Sequence, residues 1–218
     1  LAARHSLLGS SPVQTSGDPA LTYAIIGSGA IGSALARAFA RARQPVLVAN
    51  SRGPESLIEL TSALDGVVQA VELKTALAAE VVLLAVPFNS APKALSLATA
   101  WNGRILVDAT NAIDFPAFTP RDLGSIPSTR IVAEAAPGAR VVKAFNTIPA
   151  AILAQDPAEG GGHRVVFVSG DEETSIAEVA ALVGTLGFAP IVLGALDQGG
   201  RQQAFGGPLV GHNLLRKA

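Results

Sequence analysis

The sequence predicts an α/β protein built on one doubly wound, mostly parallel sheet. Two observations carry this. Short apolar runs rich in β-branched and aliphatic residues recur at 21–26, 45–49, 67–71, 81–86, 104–107, 140–145, 165–168 and 189–193, as expected of strands buried on both faces. Between most of them lie stretches with apolar residues at helical spacing, and strand–helix alternation at this interval implies parallel crossovers within a single domain.

The amino end gives the first strand and helix. Leu21-Thr22-Tyr23-Ala24-Ile25-Ile26 runs straight into Gly27-Ser28-Gly29-Ala30-Ile31-Gly32, which fits G-x-G-x-x-G. Ile31, Leu35, Phe39 and Ala42 then recur at helical spacing. The glycine spacing alone is a weak signal; in strand–turn–helix order it is the dinucleotide-binding fingerprint of a Rossmann domain. Gly27 permits the tight turn, Gly29 admits a pyrophosphate to the backbone, and Gly32 lets helix pack close on strand. The unpaired first amides of the helix face the phosphates.

The second strand decides which nucleotide. It ends in Asn50-Ser51-Arg52-Gly53, where an NAD site usually carries Asp or Glu, roughly 20 residues past the glycines, for the ribose hydroxyls. No acid stands there. Asn50 and Ser51 offer donors and Arg52 a fixed positive charge, which suits the 2′-phosphate of NADP(H).

Farther on, Pro54 suits a first helical turn, and Leu57, Ile58, Leu60 and Leu64 form an apolar stripe ending at Asp65-Gly66. A brief helix is expected at 72–79, before the strand that stops at Pro87. Asn89 or Ser90 is placed to cap the next helix, with Pro92 in its first turn. The fifth strand leaves through Asp108-Ala109-Thr110-Asn111. Residues 113–127, with three X-Pro pairs, read as loop, and Ser128 as the cap of a short helix. The sixth strand leaves through Asn146-Thr147-Ile148-Pro149. Gly160-Gly161-Gly162 reads as a flexible loop. Asp171 opens a helix with Ile176, Val179, Val183 and Leu186 on one face, and a polar, glycine-rich tail begins at Gly194. The domain is expected over 21–218, its tail serving the acceptor site or a dimer contact. Residues 1–20 read as a mobile leader, compatible with the remnant of a targeting segment.

Composition narrows the function classes. A formal net charge of −1 with 15% charged residues lacks the basic stripe of a nucleic-acid surface. The longest apolar runs, 81–88 and 141–145, are far too short to span a bilayer, so no membrane span is expected. The location is read as cytoplasmic, with the leader leaving export open. Absence of cysteine excludes disulfides, thiolate metal sites and a cysteine nucleophile. Methionine is absent too, so the natural start is expected upstream of Leu1. His5, His163 and His212 do not follow strand ends, and no Ser-His-Asp order or His-x-x-x-His pair appears, which disfavours hydrolase and metal readings.

Ligands on an open α/β sheet bind beyond the carboxyl ends of its strands. That rule selects Val86-Pro87-Phe88-Asn89, Asp108-Ala109-Thr110-Asn111 and Asn146-Thr147-Ile148-Pro149. Asp108 is the one candidate for proton transfer to an alcohol or carbonyl substrate. A second hydride carrier, such as a flavin or deazaflavin, needs instead the alignment of two rings.

Gly27-Ser28-Gly29-Ala30-Ile31-Gly32, Asn50-Ser51-Arg52, the run 81–87 and Val142-Lys143-Ala144-Phe145-Asn146-Thr147-Ile148-Pro149 together resemble the coenzyme F420-dependent NADP oxidoreductase family, its bacterial members above all. Lys143-Ala144-Phe145-Asn146-Thr147 is also similar to the NADPH-binding domain of six-transmembrane ferric reductases. The resemblance implies that Ser51 and Arg52 hold the 2′-phosphate. It implies that Ala85, Val86, Pro87, Asn146, Thr147 and Ile148 line the nicotinamide and acceptor cleft. It further implies hydride exchange between NADP(H) and a small-molecule acceptor, coenzyme F420 or a flavin, without a protein acid or base, in a homodimer. Asn146 stands where archaeal members carry a histidine. Other readings are an NADP(H)-binding sensor or partner protein without catalysis, and a reductase of ferric iron or of a small carbonyl or imine.

Overall fold

The structure is a computed structural model that describes residues 21–217; the leader expected over 1–20 lies outside them. The strands are β1 (Tyr23–Ile26), β2 (Val46–Ala49), β3 (Val68–Ala70), β4 (Val81–Leu84), β5 (Ile105–Asp108), β6 (Ile113–Asp114), β7 (Thr119–Pro120), β8 (Arg140–Ala144), β9 (Ala158–Glu159), β10 (Gly162–Gly170), β11 (Ala189–Val192) and β12 (Leu215–Lys217). The helices are α1 (Ala30–Arg41), α2 (Ile58–Ser62), α3 (Leu73–Ala76), α4 (Ala91–Leu95), α5 (Ser128–Glu134), α6 (Ala150–Leu153), α7 (Glu173–Thr185) and α8 (Gly199–Gln202).

The main sheet runs β3-β2-β1-β4-β5-β8-β10-β11. Its first six strands are parallel, and the order reverses between β1 and β4, where open α/β sheets bind ligands. β10 is antiparallel to β8, pairing Val168 with Ala144, and β11 is parallel to β10. Alternate residues of each strand enter separate cores. Ile25, Leu83, Val107 and Val142 pack with Leu35 and Phe39 of α1 and Val179 and Val183 of α7. Ala24, Ile26, Val82, Leu84 and Leu106 pack with Leu77, Leu95 and Val132 on the other face. Full burial of such side chains stabilises by about 1.5–3 kcal/mol each, which is why the strands read as unbroken apolar runs.

Several local expectations are corrected. Residues Pro54–Leu57 form a 3-10 turn before α2, whose tighter winding takes Ile58 off the stripe and leaves it 62% exposed. Asn89, Ser90 and Ser128 make no side-chain cap: the first two lie in or at the end of a 3-10 turn, and Ser128 is already the first residue of α5 behind an extended Pro127. Asp171 does not cap α7, because Arg130 and the Leu196 amide hold its carboxylate. The stretch 113–127 is not all loop, since β6 and β7 form a small hairpin.

Glycines at 160–162 turn β9 into β10. Gly162 sits so close to β12 that a Cβ there would lie 2.7 Å from the Arg216 carbonyl oxygen, so a glycine that reads as loop is what lets the strands pair. The tail returns to the sheet through α8 and β12.

β5 and β8 are also joined by an ion pair buried within the sheet. Lys143 Nζ lies 3.0 Å from Asp108 Oδ2, with side-chain exposures of 1% and 0%. Thr129 donates its hydroxyl to Oδ2, and Thr110 donates both N–H and hydroxyl to Oδ1. Burial pushes the Asp108 carboxyl up, but the Lys143 ammonium and these donors outweigh it and hold the pKa below the ordinary carboxylate value.

Lys143→Met is expected to destabilise the fold by about 3–5 kcal/mol in denaturant titrations, because it strands a buried carboxylate. Since the folded-state pKa of Asp108 is depressed, its contribution is fully present above about pH 4 and is lost as pH falls further. The stability difference between wild type and Asp108→Asn should therefore shrink below that pH; a constant difference would contradict the pairing.

Candidate functional site

The site begins where β1 meets α1. Gly27 has φ 108°, and a Cβ on it would collide with the Ala85 carbonyl; one on Gly32 would collide with the Gly27 carbonyl. Backbone thus packs on backbone at the switch point. Gly29 differs: an added Cβ would meet nothing within 4 Å and would project into open space. Among the described residues no side chain caps α1, so its first amides are left open. An uncapped twelve-residue helix behind a glycine with open space above it fits a pyrophosphate.

Two cavities meet at this point and share Gly29, Ala85, Val86 and Pro87. The first, about 440 Å³, is lined by Gly27, Ser28, Asn50, Ser51, Arg52 and Lys93 among others. Arg52 and Lys93 are both exposed, and neither makes an ion pair among the described residues. The second, about 380 Å³, is lined by Ile31, Phe88, Asn89, Thr110, Asn111 and Phe115 among others besides the shared residues, and among the described residues no charged side chain borders it. Both volumes lie within the ordinary range for ligand sites.

The predicted residues divide into three groups. Gly27, Ser28, Gly29, Ser51, Arg52, Ala85, Val86 and Pro87 come together on the first cavity, and Ala30 and Ile31 border the second. Gly32 lies behind the wall, where it sets the close packing.

Asn50 lines the first cavity but its polar atoms are engaged. Its amide donates to Ser28 Oγ and to Ser56 Oγ, both at 2.9 Å, and its oxygen accepts the Arg52 N–H at 2.8 Å. It shapes the 51–53 turn and does not offer a free donor.

Asn146, Thr147 and Ile148 border neither cavity. They are 3–4% exposed and sit behind the floor of the second. β8 is followed at once by Phe145 with φ 64°, a left-handed conformation costing on the order of 1–3 kcal/mol in a bulky residue. The turn brings Asn146 against Asn111: Asn111 Nδ2 donates to the Asn146 carbonyl at 2.8 Å, and Asn146 Nδ2 donates to Asn111 Oδ1 at 2.9 Å. Asn146 Nδ2 also donates to the Gln203 carbonyl at 2.6 Å. Asp108 is likewise fully buried and borders neither cavity, so its position does not support a role in proton transfer.

Sequence reasoning missed Lys93, Phe115, Ser56 and Gln203. Lys93 follows Pro92 in the first turn of α4, a position beside the cleft that strand-end reasoning does not reach. Phe115 sits on the unpredicted hairpin. Gln203 lies in a tail that reads as polar and glycine-rich, and it is fully buried.

Comparison with known proteins agrees with this geometry. A family model described as NADP oxidoreductase, coenzyme F420-dependent, matches residues 22–112. The solved structure of a hypothetical protein from Sinorhizobium meliloti is 57% identical with a TM-score of 0.88, covering 90% of this chain and 96% of that one. A candidate F420-dependent NADP-reductase from Arthrobacter is 30% identical with a TM-score of 0.70, covering 81% of this chain and 86% of that one. Metalloreductase STEAP3 of Rattus norvegicus is 30% identical over 172 residues, or 79% of this chain, and the chain spans only 33% of that protein's length. On the family match and the near full-length likeness to the Arthrobacter protein, the chain belongs to the coenzyme F420-dependent NADP oxidoreductase family.

Proposed function

We propose that the chain is an NADPH-dependent reductase that passes hydride to a planar flavin-like or deazaflavin acceptor. The observation that carries this reading is the pair of contiguous cavities: one bears two cations and the glycine turn, the other is uncharged, and they meet at Gly29 and Val86. NADPH supplies the hydride, two electrons with one proton; it leaves as NADP⁺, and the acceptor takes a further proton from solvent where its reduced form needs one.

The chain's own residues bind and orient. The α1 amides and Gly29 receive the pyrophosphate, while Arg52, Ser51 and Lys93 face the 2′-phosphate side. Ala85, Val86 and Pro87 form the wall on which nicotinamide and acceptor meet. Among the described residues no titratable side chain borders the second cavity, which favours catalysis by proximity and alignment over general acid–base chemistry.

The deciding experiment mixes the protein with NADPH and, in turn, coenzyme F420, FMN, riboflavin and chelated ferric iron, and follows NADPH absorbance. Acceptor-dependent loss with a flavin or deazaflavin is expected. Loss with ferric iron alone would replace the acceptor class, and loss with none would favour an NADP(H)-binding sensor.

Arg52→Ala is expected to weaken NADPH by roughly 10- to 150-fold while leaving NADH nearly unchanged, since a charge-assisted bond is worth about 1.5–3 kcal/mol. Equal weakening of both nucleotides in titrations would remove Arg52 from the phosphate. Gly29→Val should stay folded and lose NADPH binding, because its methyls occupy open space that the pyrophosphate requires. Turnover at saturation should be nearly flat between about pH 6 and 8, apart from the acceptor's own ionisation; a steep limb would reveal a titrating protein group.

A further inference from the structure

The β6–β7 hairpin stands at the mouth of the uncharged cavity and carries two large apolar side chains in solvent: Phe115 is 72% exposed and Phe118 61%. They are not scattered. Phe115 and Phe118 meet edge to face with ring centroids 5.9 Å apart, and Phe118 meets Phe205 of the tail at 5.2 Å and 85°. The three rings form a continuous ridge whose inner member, Phe115, borders the cavity.

The ridge is anchored. The Arg121 N–H closes the hairpin on the Ala112 carbonyl, and Gly206 sits so close to Pro120 that a Cβ there would collide with its ring. Exposed aromatic surface gathered beside a cavity marks a binding site. Its chemistry is narrow. Inside the cavity the polar groups are the side chains of Asn89, Thr110 and Asn111, all neutral. The nearby cation, Arg121, is engaged by Asn89 and by Asp114 at 3.6 Å.

We propose that this ridge and the uncharged cavity form the docking platform for the acceptor's fused aromatic ring, with Phe115 stacking on it, and that the site reads the ring and not an anionic tail. The inference rests on the hydride-transfer reading above and specifies the acceptor class. A fused ring matches an apolar wall that includes Ile31, Val86, Pro87 and Phe115, and aromatic stacking tolerates variation elsewhere in the ligand. Since among the described residues no free cation borders the cavity, a phosphate adds little: riboflavin and FMN should bind alike, within about threefold, where one charge-assisted phosphate bond would separate them by about tenfold or more.

The test uses the full chain, with and without saturating NADP⁺, and titrates riboflavin and FMN by fluorescence quenching. Phe115→Ala should weaken both flavins about tenfold, while Phe115→Tyr should restore them and NADP⁺ affinity stay unchanged in each. Flavin affinity unmoved by Phe115→Ala, or FMN held more than about tenfold tighter than riboflavin, overturns the platform. So does a dimer that dissociates on Phe118→Ala in sedimentation runs, which would make the ridge a contact between copies of the chain. Failure of NADP⁺ to bind sinks the hydride-transfer reading, and the Phe115 dependence of flavin binding without nucleotide still decides the platform.

Discussion

Backbone packed directly against backbone at the β1–α1 turn is the constraint on which the molecule depends. Gly32 rests on the carbonyl of Gly27, and Gly27 rests on that of Ala85 at the end of β4. A side chain at either place would push the helix away from the sheet or part β1 from β4. Because the contact fixes the start of α1, it also fixes the wall of Ala85, Val86 and Pro87 on which both cavities abut. Gly29, lying between them, differs: its missing side chain relieves no contact in the fold and leaves open space.

Behind the site the sheet replaces apolar packing with a connected set of polar bonds. Asp108 and Lys143 hold Thr110, the Asn111 and Asn146 amides lock together, and Gln203 receives the Ser169 hydroxyl while donating to the Phe167 carbonyl at 3.0 Å. Among the described residues, no buried side-chain nitrogen or oxygen lacks a partner. In a low-dielectric interior a network satisfied in this way resists rearrangement, because breaking one bond strands a buried group. The corner at Thr110 and Asn111 is thereby held in one position beneath the second cavity.

The sequence disclosed the mostly parallel sheet and the glycine turn between its first strand and helix, since these rest on local signals: unbroken apolar runs and glycines between strand and helix. It disclosed less where a residue's role depends on something far along the chain. Asn146 follows a strand end and so reads as a cleft residue, but the left-handed Phe145 and the distant Gln203 turn it to the floor. Asn50 reads as a ligand donor until Ser28 and Ser56 are seen to occupy its amide. Gly162 reads as loop because the strand that needs it lies more than fifty residues later. The hairpin was hidden by its prolines, which as a rule argue against strand.

The long return of the tail bears on how the protein is made. Everything that shapes the nucleotide half, from β1 to α4, leaves the ribosome early and pairs among near neighbours. The floor of the second cavity waits for Gln203, whose partners lie 34 to 60 residues back along the chain at Ser169, Phe167, Asn146 and Lys143. During synthesis there is accordingly an interval in which the nucleotide cleft has formed while β8 and β10 still lack their cover. For that interval the nascent chain displays the apolar Val165 and Phe167 of β10, which Leu209 of the tail later packs against, a surface suited to chaperone capture and open to mispairing.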